Sequence, residues 1–465
     1  MKTLLLAPPE KFMMDPRTGC EDLIRPKTWV PLGIAYLASS LRAAGHTAEI
    51  RDLHDFTWLQ VSKLLRALAP DVVGITCFTM NRANALRLAS LVKKELPASV
   101  VIMGGPHATF FPEHILQNPA VDIVALGQGE ETIVEVIAAL QGNGDLRQIQ
   151  GLVFRKGEEL VRTEARQQFP ALDSLPFPAY DAFDLDEYKS LEIPPQYLEL
   201  TGTHMLTSRG CPFHCHFCSV HDYFGSRWHA RSPENVLDEV QMLMETRAVE
   251  HIYFSDDIFS LDQKRIITLC KMMLDRGLRL PWMAETRVDC VSGEMLAWMR
   301  KAGCYRIYYG VESGSPRILK AMNKGFSVEQ IRQAFEMTHA AGMQPCCFLM
   351  VGNPGESPET IRETIDLIHA IKPARPPIIG INCLFPGTEH YTLAQRQGII
   401  SDEYWISDLP PPLFTLEHSS DDLIYLQMQL AQEVCPEQYG QMRRFGMDEN
   451  YFRQRRLSLL EPGEA

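Results

Sequence analysis

The chain has 465 residues, 45% apolar and 22% charged, with a formal net charge of −13, ordinary globular values for two or three domains whose acidic balance argues against a nucleic-acid backbone as partner. The apolar run Leu4–Ala7 stops at Pro8 and Pro9, and no stretch approaches the roughly 18 apolar residues of a membrane span. Twelve cysteines in so long a chain do not read as a secreted disulfide framework, so a cytoplasmic location is expected.

From the N-terminus, β-rich runs alternate with helical ones. KTLLLA precedes a helix from Gly33 to Gly45, the strand TAEIRD and a helix ending near Leu68; DVVGITC precedes a helix through Leu91 and the strands SVVIMGG and DIVALG; a helix from Glu130 to Leu140 follows. Nearly continuous apolar strands separated by helices predict a parallel sheet covered on both faces. Residues 1–142 therefore read as a doubly wound, Rossmann-like α/β domain. Small residues close three of its strands: Thr76 with Thr79, Gly104 with Gly105, and Gly127 with Gly129. They leave a trough in which a large flat cofactor or its nucleotide tail could lie. The domain lacks GxGxxG after its first strand.

Residues 143–200 read as a hairpin around Lys156–Gly157 followed by a linker, since Pro170, Pro176 and Pro178 disfavour regular structure. Over 201–395 the alternation resumes with the strands HMLTSRG, HIYFSDD, PWMAETR, YRIYYGVES, PCCFLMVG and PPIIGINCLFP. Helices fall near Pro233–Thr246, Lys264–Met273, 292–301, 316–341 and 358–371. Six β/α units predict a partial, laterally open (β/α)6 barrel rather than a closed barrel of eight. Residues 396–465 read as a small helical cap or substrate-facing appendage, in which Arg453–Arg456 is a solvated helix end.

The segment RGCPFHCHFC places Cys211, Cys215 and Cys218 directly after the first barrel strand, at the end where parallel α/β folds bind ligands. Their CxxxCxxC spacing supplies three thiolates and no fourth, so a [4Fe–4S] cluster held there keeps one iron open for chemistry. Two other readings of these residues are buried free cysteines and a zinc site completed by His214, His216 or His221. Proline and glycine breaks with interleaved aromatics make poor core patterning, which favours the cluster.

This loop and the strand ends after it resemble the radical S-adenosylmethionine superfamily over about residues 200–395. The resemblance implies that the open iron binds the amino and carboxylate groups of S-adenosylmethionine, whose reductive cleavage gives a 5′-deoxyadenosyl radical. By position it implies cofactor contacts at Phe217, at Ser255, Asp256 and Asp257, at Glu285 and Arg287, at Glu312 and Ser313, and at Gly352 and Gly355. YFSDD stands where some members have glycine-glycine-glutamate, so that correspondence is positional only. Solvated strand-end ion pairs and a plain turn are the alternatives for the charged and glycine positions.

Ahead of such a core, PLGIAYLASSLRAAGH and MGGPHATFFPE are similar to the cobalamin-binding domain of the class B radical methylases. The DxHxxG loop that supplies a histidine to cobalt in other corrinoid proteins is missing, since Thr57 stands where Asp52-Leu53-His54 would need glycine. Cobalamin is therefore expected without a protein histidine ligand, and His107 reads as a polar loop residue that contacts a neighbouring backbone group. Only Cys20 and Cys77 lie in the N-terminal half and only Cys435 beyond 395, so no second cluster is expected.

The resemblance implies a cobalamin-dependent radical enzyme that abstracts hydrogen from an unactivated carbon and transfers a methyl group to it from methylcobalamin, the two domains sharing one cavity. A cyclase or rearrangement enzyme, like the anaerobic ring cyclases of tetrapyrrole synthesis, is the second reading, and an iron–sulfur electron carrier or scaffold the third. The expected partners are an electron donor such as flavodoxin or ferredoxin and a small natural-product, lipid or tetrapyrrole substrate.

Overall fold

Leu4, Leu5 and Leu6 are all fully buried, because the strand that carries them has both neighbours and both faces covered. The computed structural model describes residues 1–10, 27–142, 144–157, 159–166, 171–188, 197 and 199–444; Cys20 and Arg453–Arg456 lie outside them. Two units are formed. The first contains Met1–Thr203 with Met242–Val249 and Asp402–Pro411, and the second the remaining described residues.

The first unit is built on a seven-stranded sheet. Its strands are β1 (Thr3–Ala7), β2 (Ala48–Asp52), β3 (Val72–Thr76), β4 (Val100–Gly104), β5 (Ile123–Ala125), β6 (Leu152–Lys156) and β7 (Glu159–Arg162). They run in the order β2-β1-β3-β4-β5-β6-β7. The first five are parallel, as the doubly wound reading expects. Gly74 gives Leu5 its place against β3: a Cβ there would stand 2.6 Å from Leu5 Cδ2, and the leucine would have to shift. The hairpin β6–β7, expected beside the linker, instead pairs antiparallel with β5. β5 has only three residues and would otherwise be a bare apolar edge, so Val153 and Phe154 are buried in covering it.

The second unit carries β8 (Gly202–Met205), β11 (His251–Phe254), β12 (Trp282–Thr286), β13 (Cys304–Glu312), β14 (Gln344–Val351) and β15 (Ile378–Ile381) in one six-stranded sheet. Between the first two, β9 (Ser208–Arg209) and β10 (His229–Ala230) form a small antiparallel ribbon. The order β15-β14-β13-β12-β11-β8 is sequential and the chain does not close it, which is the open barrel the six units predict. The first barrel strand is shorter than HMLTS suggests, ending at Met205. The helix Ser420–Val434, started by a capping box at Ser419 and Asp422, lies against β15. Gln427 and Gln438 both donate to the Ile379 carbonyl, at 2.9 and 3.0 Å, so the C-terminal helices satisfy an edge strand.

Candidate functional site

The loop after β9 carries the three cysteines, each half-buried and none in a disulfide. Cys218 N donates to Cys215 O at 3.0 Å, closing the turn between the second and third. Backbone amides of Phe213 and Val220 hydrogen-bond the Cys211 and Cys218 sulfurs. Arg287 Nη1 stands 3.7 Å from Cys215 Sγ while its guanidinium lies 3.6 Å from the Phe213 ring centroid. Donors directed at sulfur stabilise thiolate and tune a cluster. Burial raises the Cys211 thiol and pushes Cys218 up to about 12, so iron must displace protons when it binds.

The loop is gripped from outside by the segment Ala321–Asn323. His216 N donates to Met322 O at 3.0 Å, His216 Nδ1 meets Ala321 O at 2.8 Å, and Asn323 Nδ2 donates to His214 O at 2.7 Å. The histidines of the zinc reading are engaged elsewhere: His216 Nδ1 by this carbonyl, His214 by Glu389 at 3.4 Å and His221 by Asp222 at 3.0 Å. Among the described residues no three His, Cys, Asp or Glu side chains converge on a point suited to one ion. A cubane spreads its thiolates over separate corners, and three thiolates backed by amides and a guanidinium suit one with an open iron.

Asp256 and Asp257 follow β11 and divide their work. Asp256 is fully buried, and its Oδ1 accepts from Thr207 N at 2.9 Å, Thr207 Oγ1 at 3.0 Å and Ser208 Oγ at 2.5 Å. That oxygen is thus committed to the turn that leads into the cysteine loop, while Oδ2 is buried without a hydrogen-bond partner, and burial raises the carboxyl's pKa. Asp257 is exposed at its surface yet crowded by its neighbours; desolvation, then the neighbouring Asp256, pushes its carboxyl up to about 7. Ser255 is half-buried, with its N–H donating to Met205 O at 3.1 Å.

Glu285, near the end of β12, is half-buried and accepts from Tyr253 Oη. Arg287 is buried and grips Asp289 through two nitrogens, each at 2.9 Å; Nη2 also donates to the Lys324 carbonyl, and Nη1 is left to the cysteine loop. Burial works against its charge, but the pairing with Asp289 outweighs it and raises the pKa, so the cation persists as a positioning residue for that loop. Ser313 is buried and shares hydrogen bonds with Thr364 at 3.2 Å and Ser315 N at 3.1 Å. Gly352 has φ +91°, and a Cβ there would meet Leu423 at 3.0 Å; Gly355 has φ +84° and donates its N–H to Glu417 at 2.7 Å.

Glu312 ends β13 at a register shift and has φ +64°, the left-handed region. A bulge at a strand end re-aims a side chain, and a non-glycine residue held there stores strain of about 1–3 kcal/mol. Its carboxylate meets Lys324 Nζ at 3.2 Å, with both side chains buried. The same ammonium stands 5.5 Å from the ring centroid of Phe217, the residue before Cys218. Lys324 escaped the sequence reading because it lies in a loop after a short helix rather than at a strand end. The available signal in the sequence is the run Met322-Asn323-Lys324-Gly325, since Asn and Gly are the residues that most readily take the positive φ both adopt here.

In the first unit, Thr76 and Gly104 end adjacent paired strands. Gly127 has φ +68° and a Cβ there would meet nothing within 4 Å, so it borders open space. Gly105 and Gly129 have packing duties: a Cβ at Gly105 would stand 2.9 Å from Cys77 O, and one at Gly129 3.1 Å from Leu37 Cδ2. Thr79 is buried and its hydroxyl meets His107 Nδ1 at 3.2 Å. His107 therefore contacts a side chain, not the backbone group expected, and lies in a short helix, Pro106–Phe110. Its ring packs on Trp405 and Phe111 at 5.5 and 5.6 Å, and burial lowers its pKa to about 3. Open small-residue strand ends fit a large planar group.

Residues 205–368 match the radical SAM superfamily, and residues 25–137 match the B12 binding domain. An uncharacterized methyltransferase of Pyrococcus horikoshii, PH0819, is 34% identical over 78% of this chain and 77% of its own length. The anaerobic magnesium-protoporphyrin IX monomethyl ester cyclase of Cereibacter sphaeroides is 29% identical over 72% of this chain, which spans 56% of that enzyme. The fold resembles that of the radical S-adenosylmethionine methyltransferase TsrM of Kitasatospora setae, solved with cobalamin and a [4Fe–4S] cluster. That likeness has a TM-score of 0.69 and 20% identity, and covers 85% of this chain and 78% of that one.

Proposed function

Starting from a chain that belongs to the cobalamin-binding radical S-adenosylmethionine family, we propose that it is a C-methyltransferase acting on an unactivated carbon of a small organic substrate. The observation that carries this reading is the presence, in one chain, of a three-thiol loop backed by cofactor-sized polar strand ends and of a B12-binding domain with an open small-residue trough. Reductive cleavage of S-adenosylmethionine and carriage of a methyl group on cobalt are what the bound groups supply.

We assign Cys211, Cys215 and Cys218 to the cluster, and Phe217, Ser255, Asp257, Glu285, Glu312 and Lys324 to S-adenosylmethionine. Asp257 and Lys324 offer the two charge types that an amino and a carboxylate group need. Asp256 and Arg287 hold the cysteine loop in place. Thr76, Gly104 and Gly127 border the cobalamin trough. A flavodoxin or ferredoxin would supply the electron. No helix among the described residues is long and apolar enough to cross a membrane, and a lipid, tetrapyrrole or antibiotic precursor suits the substrate class. The cytoplasm is the compartment in which the thiol loop stays reduced.

The cyclase relative gives the second reading its support. Anaerobic incubation of reconstituted protein with reductant, S-adenosylmethionine, cobalamin and candidate substrates separates them. Deoxyadenosine with matching S-adenosylhomocysteine and a product heavier by one methylene supports methyl transfer; deoxyadenosine without S-adenosylhomocysteine supports cyclisation and defeats the first reading.

A further inference from the structure

The loop that follows β3 has an uncommon construction. Cys77, Thr79 and Asn81 are buried at 0, 7 and 5% exposure, while Phe78 and Met80 between them are 49 and 41% exposed. Water penalises two large apolar side chains exposed within three residues of one turn, and a loop free to relax would turn them inward.

This loop is fixed from several directions. Cys77 N donates to Gly104 O at 2.7 Å and Cys77 O accepts from His107 N at 3.1 Å. Asn81 Oδ1 accepts from Phe78 N at 2.8 Å, and Asn81 Nδ2 donates to Glu10 at 2.7 Å. Thr79 O accepts from Arg82 Nη1 at 3.2 Å. Arg82, only 1% exposed, also donates to the carbonyls of Trp405 at 3.3 Å, Ser407 at 2.8 Å and Leu409, so the segment Asp402–Pro411 straps the loop down. Such restraint prepares a surface before its ligand arrives.

We propose that Phe78 and Met80 form an apolar floor against which the corrin ring of cobalamin lies, an inference that rests on the cobalamin reading above. The loop stands at the C-terminal edge of the parallel sheet between β3 and β4, beside Thr76 and Gly104, inside the segment matched to B12 binding. A corrin is large, flat and apolar over its face, which two adjacent hydrophobic side chains suit. The nearby His107 is buried, bound to Thr79 and packed on Trp405, so of this loop and its neighbour it is phenyl and thioether groups, not imidazole, that are exposed to meet the ring.

The test uses the full chain with corrinoids as probes. For hydroxocobalamin, the double variant Phe78→Ala/Met80→Ala should show a dissociation constant at least tenfold weaker by equilibrium dialysis, whereas Leu160→Ala, an exposed apolar change on β7, should match wild type. Both target side chains are exposed, so folding is preserved; circular dichroism checks this. With cob(II)inamide, which lacks the nucleotide base, Phe78→His or Met80→His should add nitrogen splitting to the cobalt EPR signal that wild type lacks. Binding within twofold of wild type by the double variant, or an unsplit signal in both histidine variants, overturns the floor. A wild-type protein that binds no corrinoid instead removes the cofactor reading and the floor with it.

Discussion

Glu312 Oε1 and Lys324 Nζ lie 3.2 Å apart, a buried ion pair that joins the end of β13 to the segment gripping the cysteine loop. The pair is set by backbone geometry, not by chance rotamers. Glu312 sits in the left-handed region at a bulge, and a Cβ at Gly310 would stand 2.8 Å from its Oε1. Glycine at 310 leaves the carboxylate room, and the bulged backbone at 312 aims it at the ammonium. Backbone strain that packing enforces commonly marks a working site.

Lys324→Met should therefore separate stability from binding. Alone, it leaves a buried carboxylate unpaired and should cost about 3–5 kcal/mol in denaturant unfolding. Adding Glu312→Gln removes both charges and should recover most of that loss. S-adenosylmethionine affinity of the reconstituted protein should stay at least tenfold weakened in the double variant. Wild-type affinity there would mean the pair is structural only.

Arg287→Gln probes the cation beside Cys215. The variant keeps a polar side chain but loses the charge, the stacking on Phe213 and the two-pronged hold on Asp289. Removing a positive charge next to a thiolate disfavours adding an electron to the cluster. EPR-monitored titration should find a more negative midpoint potential with iron content unchanged. An unchanged potential would confine Arg287 to packing.

Asp256→Ala should release the turn that feeds the cysteine loop. Three donors converge on one carboxylate oxygen, so truncation should cost on the order of 3 kcal/mol and lower iron incorporation. Asp256→Asn keeps an acceptor at that position and should lose less than half as much. Equal losses in melting temperature would show that the charge, not the acceptor geometry, holds the turn.

Much of this architecture was legible because parallel α/β folds write themselves as alternating apolar strands and helices, and because CxxxCxxC after a strand is specific. Less legible was which strand-end polar residues face outward. Asp256 and Asp257 are neighbours with the same side chain, yet one is buried and bonded to Thr207 and Ser208 while the other is exposed, a difference set by the path of the loop after β11 rather than by strand alternation. Lys324 is hidden because it lies in a loop rather than at a strand end, and Arg82 because it acts on carbonyls more than 320 residues away. The hairpin reads with the linker in the sequence because nothing local reveals that β5 needs an edge partner.

Glu356 sets a pH dependence whose sign can be worked out. It is buried in the loop after β14, and desolvation pushes its carboxyl up to about 7 from 4.5, although Thr360 and the Gly352 and Asn353 amides favour the anion. The folded state then holds a proton that the unfolded chain has released, so this contribution is fully present below pH 4.5 and is lost as pH rises through 7. The shift corresponds to roughly 3 kcal/mol across that window. Asp257 shifts in the same direction, so wild type and variant must be compared at each pH. Glu356→Gln mimics the protonated carboxyl and should unfold with similar stability near pH 5 but gain about 2–3 kcal/mol over wild type at pH 8. Parallel stability profiles for the two proteins, from urea unfolding between these values, would show that Glu356 is ionised throughout.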